Sequence, residues 1–166
     1  ADPGAAGFEG SIQRGNRALK SGKKQRALEA FSAAVRENPG SAEAHRGLGW
    51  SYVSLGLSSG AVRSFKAAIR LNPRYGDAYI GLGKAYRMAG NKAAAVKAYE
   101  RYLAMYPSGP SAYTARYQVE TLKGKSKAPS KAPSPSDKSA VPSGGGSNSA
   151  PPGATVGPLP DKVKKK

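Results

Sequence analysis

The strongest constraint on the fold is a spacing of 34 residues, at which the same small and aromatic residues recur. The pattern is fullest over residues 41–74, and it returns one period earlier and one period later. The recurring residues are Gly15, Gly22, Ala27, Phe31, Ala34 and Pro39; then Leu48, Gly49, Tyr52, Gly56, Ala61, Phe65, Ala68 and Pro73; then Leu82, Gly83, Tyr86, Gly90, Ala95, Tyr99 and Pro107. A fixed period of this length is typical of repeat proteins, in which each unit buries its apolar face against its neighbours.

This pattern resembles the tetratricopeptide repeat (TPR), which has a first helix with Leu-Gly-x2-Tyr, a second with Ala-x3-Phe and a closing proline. The resemblance covers roughly residues 8–109, in three consecutive units that share one register. It implies an all-α fold, a right-handed superhelix of three helix-turn-helix repeats. We expect the repeats at about 8–41, 42–75 and 76–109, preceded by a flexible N-terminus at 1–7.

Helix limits follow from the apolar spacing and from the residues that stop helices. The first helices of the repeats are predicted at 8–21, 42–55 and 76–89, and the second helices at 25–37, 58–71 and 92–106. Proline cannot continue a helix, so Pro39, Pro73 and Pro107 each close a repeat.

A seventh helix is predicted at 111–122, because the third repeat differs from the others at one position. Tyr102 stands where the earlier repeats have Ala34 and Ala68, so the segment that follows must leave room for a larger side chain. Terminal helices with one polar face commonly cap repeat arrays. The expected inward residues are Tyr113, Tyr117 and Val119, and the expected outward residues are Arg116, Gln118 and Glu120.

Positive charge dominates the composition, with 27 Lys and Arg against 10 Asp and Glu and a net charge of +17. Of these, 18 basic and 8 acidic residues precede Lys123, and 9 lysines and 2 aspartates lie from Lys123 onward. Both parts therefore favour acidic partners. For the helical part, charge that serves only solubility is the alternative.

Residues 123–166 alternate Lys, Ala, Pro and Ser and contain no aromatic residue. Such a segment cannot bury enough apolar surface to order itself, so we predict a disordered basic tail. Its Lys-Ala-Pro-Ser composition is similar to that of the tails of linker-histone-like proteins. This resemblance implies salt-sensitive contacts with phosphates. An anionic membrane surface and a plain spacer remain as alternatives.

Catalytic, metal and cofactor sites are not predicted, and we expect no enzyme activity. The chain has no cysteine and a single histidine, His45, so a second histidine or a thiolate for a zinc site is missing. His45 stands where the family pattern has a tryptophan, which indicates packing between the two helices of its repeat. The Gly-Leu-Gly segments at 47–49 and 81–83 complete neither a dinucleotide nor a P-loop motif.

The resemblance implies a binding groove, because TPR arrays hold partners on a concave face formed by the first helix of each repeat. That face is expected to comprise Ile12, Asn16, Leu19, Lys20, Glu43, Arg46, Trp50, Val53, Asp77, Ile80, Lys84 and Arg87. The candidate binding residues among them are Asn16, Lys20, Arg46, Trp50, Ile80, Lys84 and Arg87. An aromatic side chain among cations is typical of a peptide-binding hot spot. Packing of Trp50 against the third repeat is the alternative.

Many eukaryotic TPR domains hold the carboxylate end of a chaperone peptide with five Lys, Arg and Asn residues. In this chain Asn16 matches the first asparagine of that clamp. Ile12, Gly47, Asp77 and Gly81 stand at the other four positions. Binding through this clamp is therefore not expected, although the basic residues of the groove could hold an acidic peptide differently.

These features predict a non-catalytic adaptor or scaffold whose groove binds a peptide or helix of a partner protein. The bound segment is expected to be acidic. The alternative is polyanion binding, in which the basic tail and groove together bind nucleic acid or an anionic surface. No apolar run reaches the roughly 18 residues of a transmembrane helix. The sequence does not fix the oligomeric state. A cytoplasmic location is favoured, and export, including to the periplasm, stays open because a removed signal peptide would leave no trace.

Overall fold

A computed structural model describes residues 7–124. The predicted disordered basic tail lies outside this range from residue 125 onward, as do residues 1–6 of the predicted flexible N-terminus. The described residues form seven α-helices. They are α1 (Phe8–Lys20), α2 (Lys24–Glu37), α3 (Ala42–Ser54), α4 (Ser58–Leu71), α5 (Gly76–Met88), α6 (Lys92–Met105) and α7 (Ala112–Leu122).

Consecutive helices pack in antiparallel pairs, α1 with α2, α3 with α4 and α5 with α6, and α7 packs on α6. Each second helix also contacts the first helix of the next pair. Predicted and observed helix limits agree to within one residue. The all-α fold of three helical hairpins followed by a single helix is therefore confirmed.

Aromatic rings wedged between glycines hold successive pairs together. Phe31 of α2 is fully buried and lies against Gly15 of its own pair and Gly47 of the next. A Cβ atom on Gly47 would lie 2.1 Å from the Phe31 ring, and one on Gly81 would lie 2.2 Å from the Phe65 ring. We call these repeated glycines ring seats, because each leaves open the space that an aromatic ring of a second helix occupies. A side chain at the glycine would take that space.

The same turn follows each first helix. Gly22, Gly56 and Gly90 take positive φ angles of 66°, 77° and 77°, a left-handed conformation that only glycine adopts at low cost. Gly124 does so after α7, with φ 72°. Helix α7 therefore ends as the first helix of a repeat does.

Each closing proline turn is tied to the helix that follows it. His45 Nε2 donates a hydrogen bond to the carbonyl oxygen of Pro39 at 3.0 Å. One period later the hydroxyl of Tyr79 donates to the carbonyl oxygen of Pro73 at 3.1 Å. His45 therefore bridges α3 to the preceding turn, a contact outside its own repeat that the sequence did not predict.

Helix α7 packs on α6 through its alanines and not through the two tyrosines predicted to face inward. Ala112 and Ala115 are buried against α6, whereas Tyr113 and Tyr117 are 39% and 42% exposed. The prediction of inward tyrosines is wrong because Tyr102 of α6 already fills that space, and only small side chains fit beside it. Val119 packs inward as predicted.

The side chain of Tyr102 packs against the loop before α7. Its hydroxyl accepts a hydrogen bond from the backbone N–H of Ser111 at 3.0 Å. A Cβ on Gly109 would lie 2.5 Å from the same hydroxyl oxygen, so a larger residue there would displace it. The expectation that the segment after the third repeat accommodates a bulky side chain is confirmed.

Candidate binding groove

The first helices α1, α3 and α5 lie side by side, with α3 contacting both of the others. This arrangement brings side chains of α3 and α5 together around one carboxylate. Asp77 Oδ2 accepts hydrogen bonds from Trp50 Nε1 at 2.9 Å and from Arg46 Nη1 at 3.1 Å. We call Arg46, Trp50, Asp77 and Lys84 the Asp77 cluster.

Trp50 is half-buried, and its ring joins the core to the groove. One side meets Phe65 edge to face, with ring centroids 5.4 Å apart and planes at 80°. Lys84 Nζ lies 5.6 Å from the centroid of the Trp50 ring, within the range of a cation–π contact. Both sequence interpretations of Trp50 therefore apply in part, because it packs on the third repeat and remains partly accessible.

The ion pair in the cluster is only partly shielded from solvent. The side chains of Arg46 and Asp77 are 23% and 41% exposed. Arg46 Nε is buried and has no hydrogen-bond acceptor among the described residues. A buried N–H without an acceptor costs free energy, so this atom lowers the stability of the cluster.

Tyr75, the residue directly before α5, lies beside the same cluster. Burial raises the pKa of its phenol, and Glu43 and Asp77 act in the same direction. The Arg46 guanidinium acts in the opposite direction and lowers the pKa. The phenol therefore stays protonated at neutral pH and adds no negative charge to the groove.

The remaining candidate residues are spread over the outer helices. Asn16 and Lys20 lie on α1, the former half-buried and the latter exposed. Ile80 packs toward α6 and α7 rather than toward Trp50. Arg87 is exposed near the end of α5. Of the seven candidates, the structure brings Arg46, Trp50 and Lys84 into direct contact through the Asp77 cluster.

Two residues expected on the concave face are core residues instead. Ile12 is 4% exposed and packs with Phe31 in the N-terminal core. Val53 is 9% exposed and packs in the central core with Phe65. Both are apolar residues that gain more from burial between helices than from a place on an open surface.

The structure also explains why the carboxylate clamp is absent. Gly47 and Gly81 occupy two of its positions, and both are seats of phenylalanine rings. A third position holds Asp77, whose charge is opposite to that of the clamp residue and is engaged by Arg46. A chain with this packing has no space for the clamp side chains at positions 47 and 81.

Sequence reasoning placed Asp77 on the concave face but missed its role as the shared acceptor. Asp77 lies 31 residues after Arg46 and 27 after Trp50. The available signal was one acidic residue in the first turn of α5 among the cations of neighbouring repeats.

Within residues 7–124, His, Cys, Asp and Glu form no group of three or more that could hold a metal ion. No helix in the same range is both long and apolar enough to cross a membrane.

Comparison with known proteins agrees with the geometry. A family model described as tetratricopeptide repeat matches residues 12–62 and 48–110. No curated protein sequence matches the chain. Solved structures with similar folds are numerous, and three illustrate their range.

The second TPR domain of human RPAP3, in complex with the HSP70 peptide SGPTIEEVD, is 24% identical, with a TM-score of 0.63 over 68% of this chain and 92% of that one. The TPR2B domain of yeast Sti1, in complex with pHsp70, is 16% identical, with a TM-score of 0.68 over 71% and 97%. MamA is 28% identical, with a TM-score of 0.66 over 71% and 68%.

Proposed function

We propose that this chain, which belongs to the tetratricopeptide repeat family, is a protein-interaction adaptor that performs no chemistry of its own. Its groove, formed by α1, α3 and α5, holds a peptide or helix of a partner protein. The contact residues are Asn16, Lys20, Arg46, Trp50, Ile80, Lys84 and Arg87.

The Asp77 cluster carries this proposal. It combines a partly accessible indole, an exposed lysine and a half-buried guanidinium. Hydrogen bonds from α3 to Asp77 of α5 fix Trp50 and Arg46 before any ligand arrives, which limits the entropy that binding must overcome. Such a rigid aromatic and cationic centre has the composition of an interface hot spot.

An acidic peptide fits this centre best. A backbone carbonyl or a carboxylate can accept from the exposed part of the Arg46 guanidinium, and Lys84 and Arg87 add two exposed positive charges. Two structures of similar TPR domains, the first TPR of Spaghetti (RPAP3) and the second TPR domain of human RPAP3, contain an HSP90 and an HSP70 peptide, and both peptides end in Glu-Glu-Val-Asp. Because this chain lacks the clamp, we expect recognition of internal acidic residues rather than of a terminal carboxylate.

Polyanion binding is the alternative, and it depends mainly on the basic segment at 123–166. The dependence of affinity on ionic strength distinguishes peptide binding in the groove from polyanion binding. Phosphate binding by a lysine-rich segment falls by orders of magnitude as salt rises, because it is driven by release of counterions. Binding centred on a half-buried tryptophan retains much of its affinity.

The test is a pull-down with the full chain and with residues 1–124, each at low and moderate salt. Lys84→Glu/Arg87→Glu reverses the groove charges without removing a core residue. Lys97→Glu makes the same kind of change on α6, outside the first helices, and is the control. We expect a partner protein that both lengths retain and only the double variant loses.

The adaptor function would be contradicted if Lys97→Glu and the groove variant lost the partner equally. Nucleic acid retained by the full chain alone, and released at moderate salt, would support the polyanion alternative instead.

A further inference from the structure

The first repeat carries a cleft between α1 and α2 that lies apart from the groove. Its volume is about 510 Å³. The side chains that line it include Arg14, Arg17, Ala18, Lys23, Arg26 and Glu29, none of which is a groove candidate. The cleft is therefore a second concave surface whose chemistry the proposed function does not use.

The cleft exists because the first repeat lacks an aromatic ring that the second repeat has. In the second repeat Tyr52 packs on Gly60, where a Cβ would lie 2.8 Å from the ring. One period earlier the corresponding residues are Ala18 and Arg26. The side chain of Ala18 ends at its Cβ, so the volume that a tyrosine ring fills in the second repeat is open in the first.

The floor of the cleft is apolar and its rim is positively charged. Ala18 and Ala30 are 7% and 9% exposed, so they form a floor of methyl groups. Arg17, Lys23 and Arg26 are exposed around it. One acidic residue, Glu29, lines the cleft among these cations.

Arg14 is held in place within this rim. Its Nη2 donates to Ser11 Oγ at 2.8 Å, and Ser11 Oγ in turn donates to Glu37 Oε1 at 3.3 Å. The equivalent residues of the later repeats are Leu48 and Leu82. A polar residue is expected at an uncovered end of an array, but polarity alone does not require an excess of one sign.

We propose that this cleft binds an acidic peptide segment of a partner protein through one aromatic side chain. The ring of a tyrosine or phenylalanine enters the space above Ala18 and Ala30, and the acidic residues beside it pair with Arg17, Lys23 and Arg26. Guanidinium groups suit both parts of such a ligand, because they stack on aromatic faces and bind carboxylates in a bidentate manner.

Charge argues against a second copy of this chain as the occupant. The chain has a net charge of +17, so two copies would bring like charges together at this rim. A free inorganic anion would satisfy the rim but leave the ring-sized apolar space unfilled. An acidic segment with one aromatic residue satisfies both.

The experiment measures fluorescence anisotropy of a labelled hexapeptide, one tyrosine among aspartates and glutamates, with the full chain at moderate salt. Ala18→Tyr fills the cleft with the chain's own ring, as in the second repeat, and Arg26 is exposed and can move aside. Arg26→Glu reverses one rim charge, and Arg63→Glu on α4 is the matched control. Circular dichroism checks that each variant is folded.

We expect Ala18→Tyr and Arg26→Glu each to weaken binding by about tenfold or more, the equivalent of one well-placed contact. Arg63→Glu is expected to bind within about twofold of the parent chain. The same effects of Ala18→Tyr and Arg26→Glu are expected in the Lys84→Glu/Arg87→Glu background, where the groove no longer attracts an acidic peptide. A peptide with alanine in place of tyrosine is expected to bind more weakly to the parent chain and to lose its sensitivity to Ala18→Tyr.

Three results would overturn the proposal. The first is affinity that Ala18→Tyr leaves unchanged, which would assign the peptide to the basic surface in general. The second is complete loss of binding in the Lys84→Glu/Arg87→Glu background, which would leave no binding for the cleft and place the peptide in the groove. The third is self-association of the full chain, measured by sedimentation, that Ala18→Tyr abolishes, because the occupant would then be a second copy.

Discussion

At the scale of single residues, the fold depends on packing large aromatic rings against glycines, which have no side chain. Phe31 and Phe65 are among the largest fully buried side chains, and glycines from two successive first helices accept each ring. Glycine within a helix costs about 1 kcal/mol relative to alanine. The close packing of the rings offsets that cost, since dispersion contacts in a dense core are collectively large.

Gly47→Ala is therefore expected to destabilise the chain although alanine is the better helix former. The added methyl group would lie 2.1 Å from the Phe31 ring, which is fully buried and cannot move into solvent. Overpacking combined with the gain in helix propensity gives an expected loss of about 1–2 kcal/mol in the free energy of unfolding, measured by urea denaturation.

Gly40→Ala is the control for that experiment, because a Cβ there meets its nearest atom at 3.5 Å. Its stability is expected to be equal or slightly higher. Phe31→Leu in the Gly47→Ala background should recover part of the loss. Equal stabilities of the two glycine variants would contradict the ring-seat interpretation.

Asp77 is a second place where one residue links two repeats. Asp77→Ala removes the shared acceptor of Arg46 and Trp50, leaving the half-buried guanidinium without its carboxylate. Because both partners are partly exposed, we expect a loss of only about 1–2 kcal/mol. Trp50 is the chain's single tryptophan, so its emission maximum reports on the same site.

Asp77→Asn keeps an oxygen acceptor and should lose less stability than Asp77→Ala. The emission maximum is expected to shift to longer wavelength in the alanine variant, as the indole becomes more hydrated. A melting temperature and an emission maximum that both stay at the parent values would show that the cluster does not hold Trp50 in place.

At the scale of helices, the sequence predicted where each helix begins and ends more successfully than which face of the helix is buried. Proline and glycine fix where each helix ends, so the limits of all seven helices followed from local chemistry. The inward face of α7 did not, because periodicity alone cannot tell whether its alanines or its tyrosines face the neighbour. That choice depends on the space left beside Tyr102, which is known only once α6 is in place.

The same limit applies to the groove. Trp50 and Arg46 could be placed on the correct helix from the repeat register, but their shared bond to Asp77 depends on how closely α3 and α5 approach. The glycines that accept the Phe31 and Phe65 rings are visible in the sequence, but the sequence does not show which ring each of them contacts. Local patterns specify the elements, and contacts across repeats complete the site.

A pair of substitutions on α7 tests its face. Ala115 is fully buried, so Ala115→Leu should cost about 1–3 kcal/mol through overpacking. Tyr117 is 42% exposed, so Tyr117→Ala should change the free energy of unfolding by less than about 0.5 kcal/mol. Urea denaturation of both variants gives the comparison, and the reverse order of costs would restore the face predicted from the sequence.

At the scale of the whole described unit, the two ends differ from the middle. Helices α3 and α5 have neighbours on both sides, whereas α1 packs on α2 and α3 and α7 packs on α6. The first repeat also has the open cleft beside Ala18 in place of a packed ring. In repeat arrays stability is close to a sum of nearest-neighbour terms, so the units with the fewest neighbours should open first.

Amide hydrogen exchange followed along residues 7–124 should therefore give graded protection. The slowest exchange is expected in α3, α4 and α5, around the buried Phe65 and Ala78. Faster exchange is expected in α1 and α7, because opening of an end helix exposes less apolar surface than opening of the centre. Ala18→Tyr should slow exchange in α1 and α2 alone, since it fills the first-repeat cleft without touching the rest. Uniform protection across all seven helices, unchanged by Ala18→Tyr, would mean that the unit opens only as a whole and that the cleft is not a weak point in its packing.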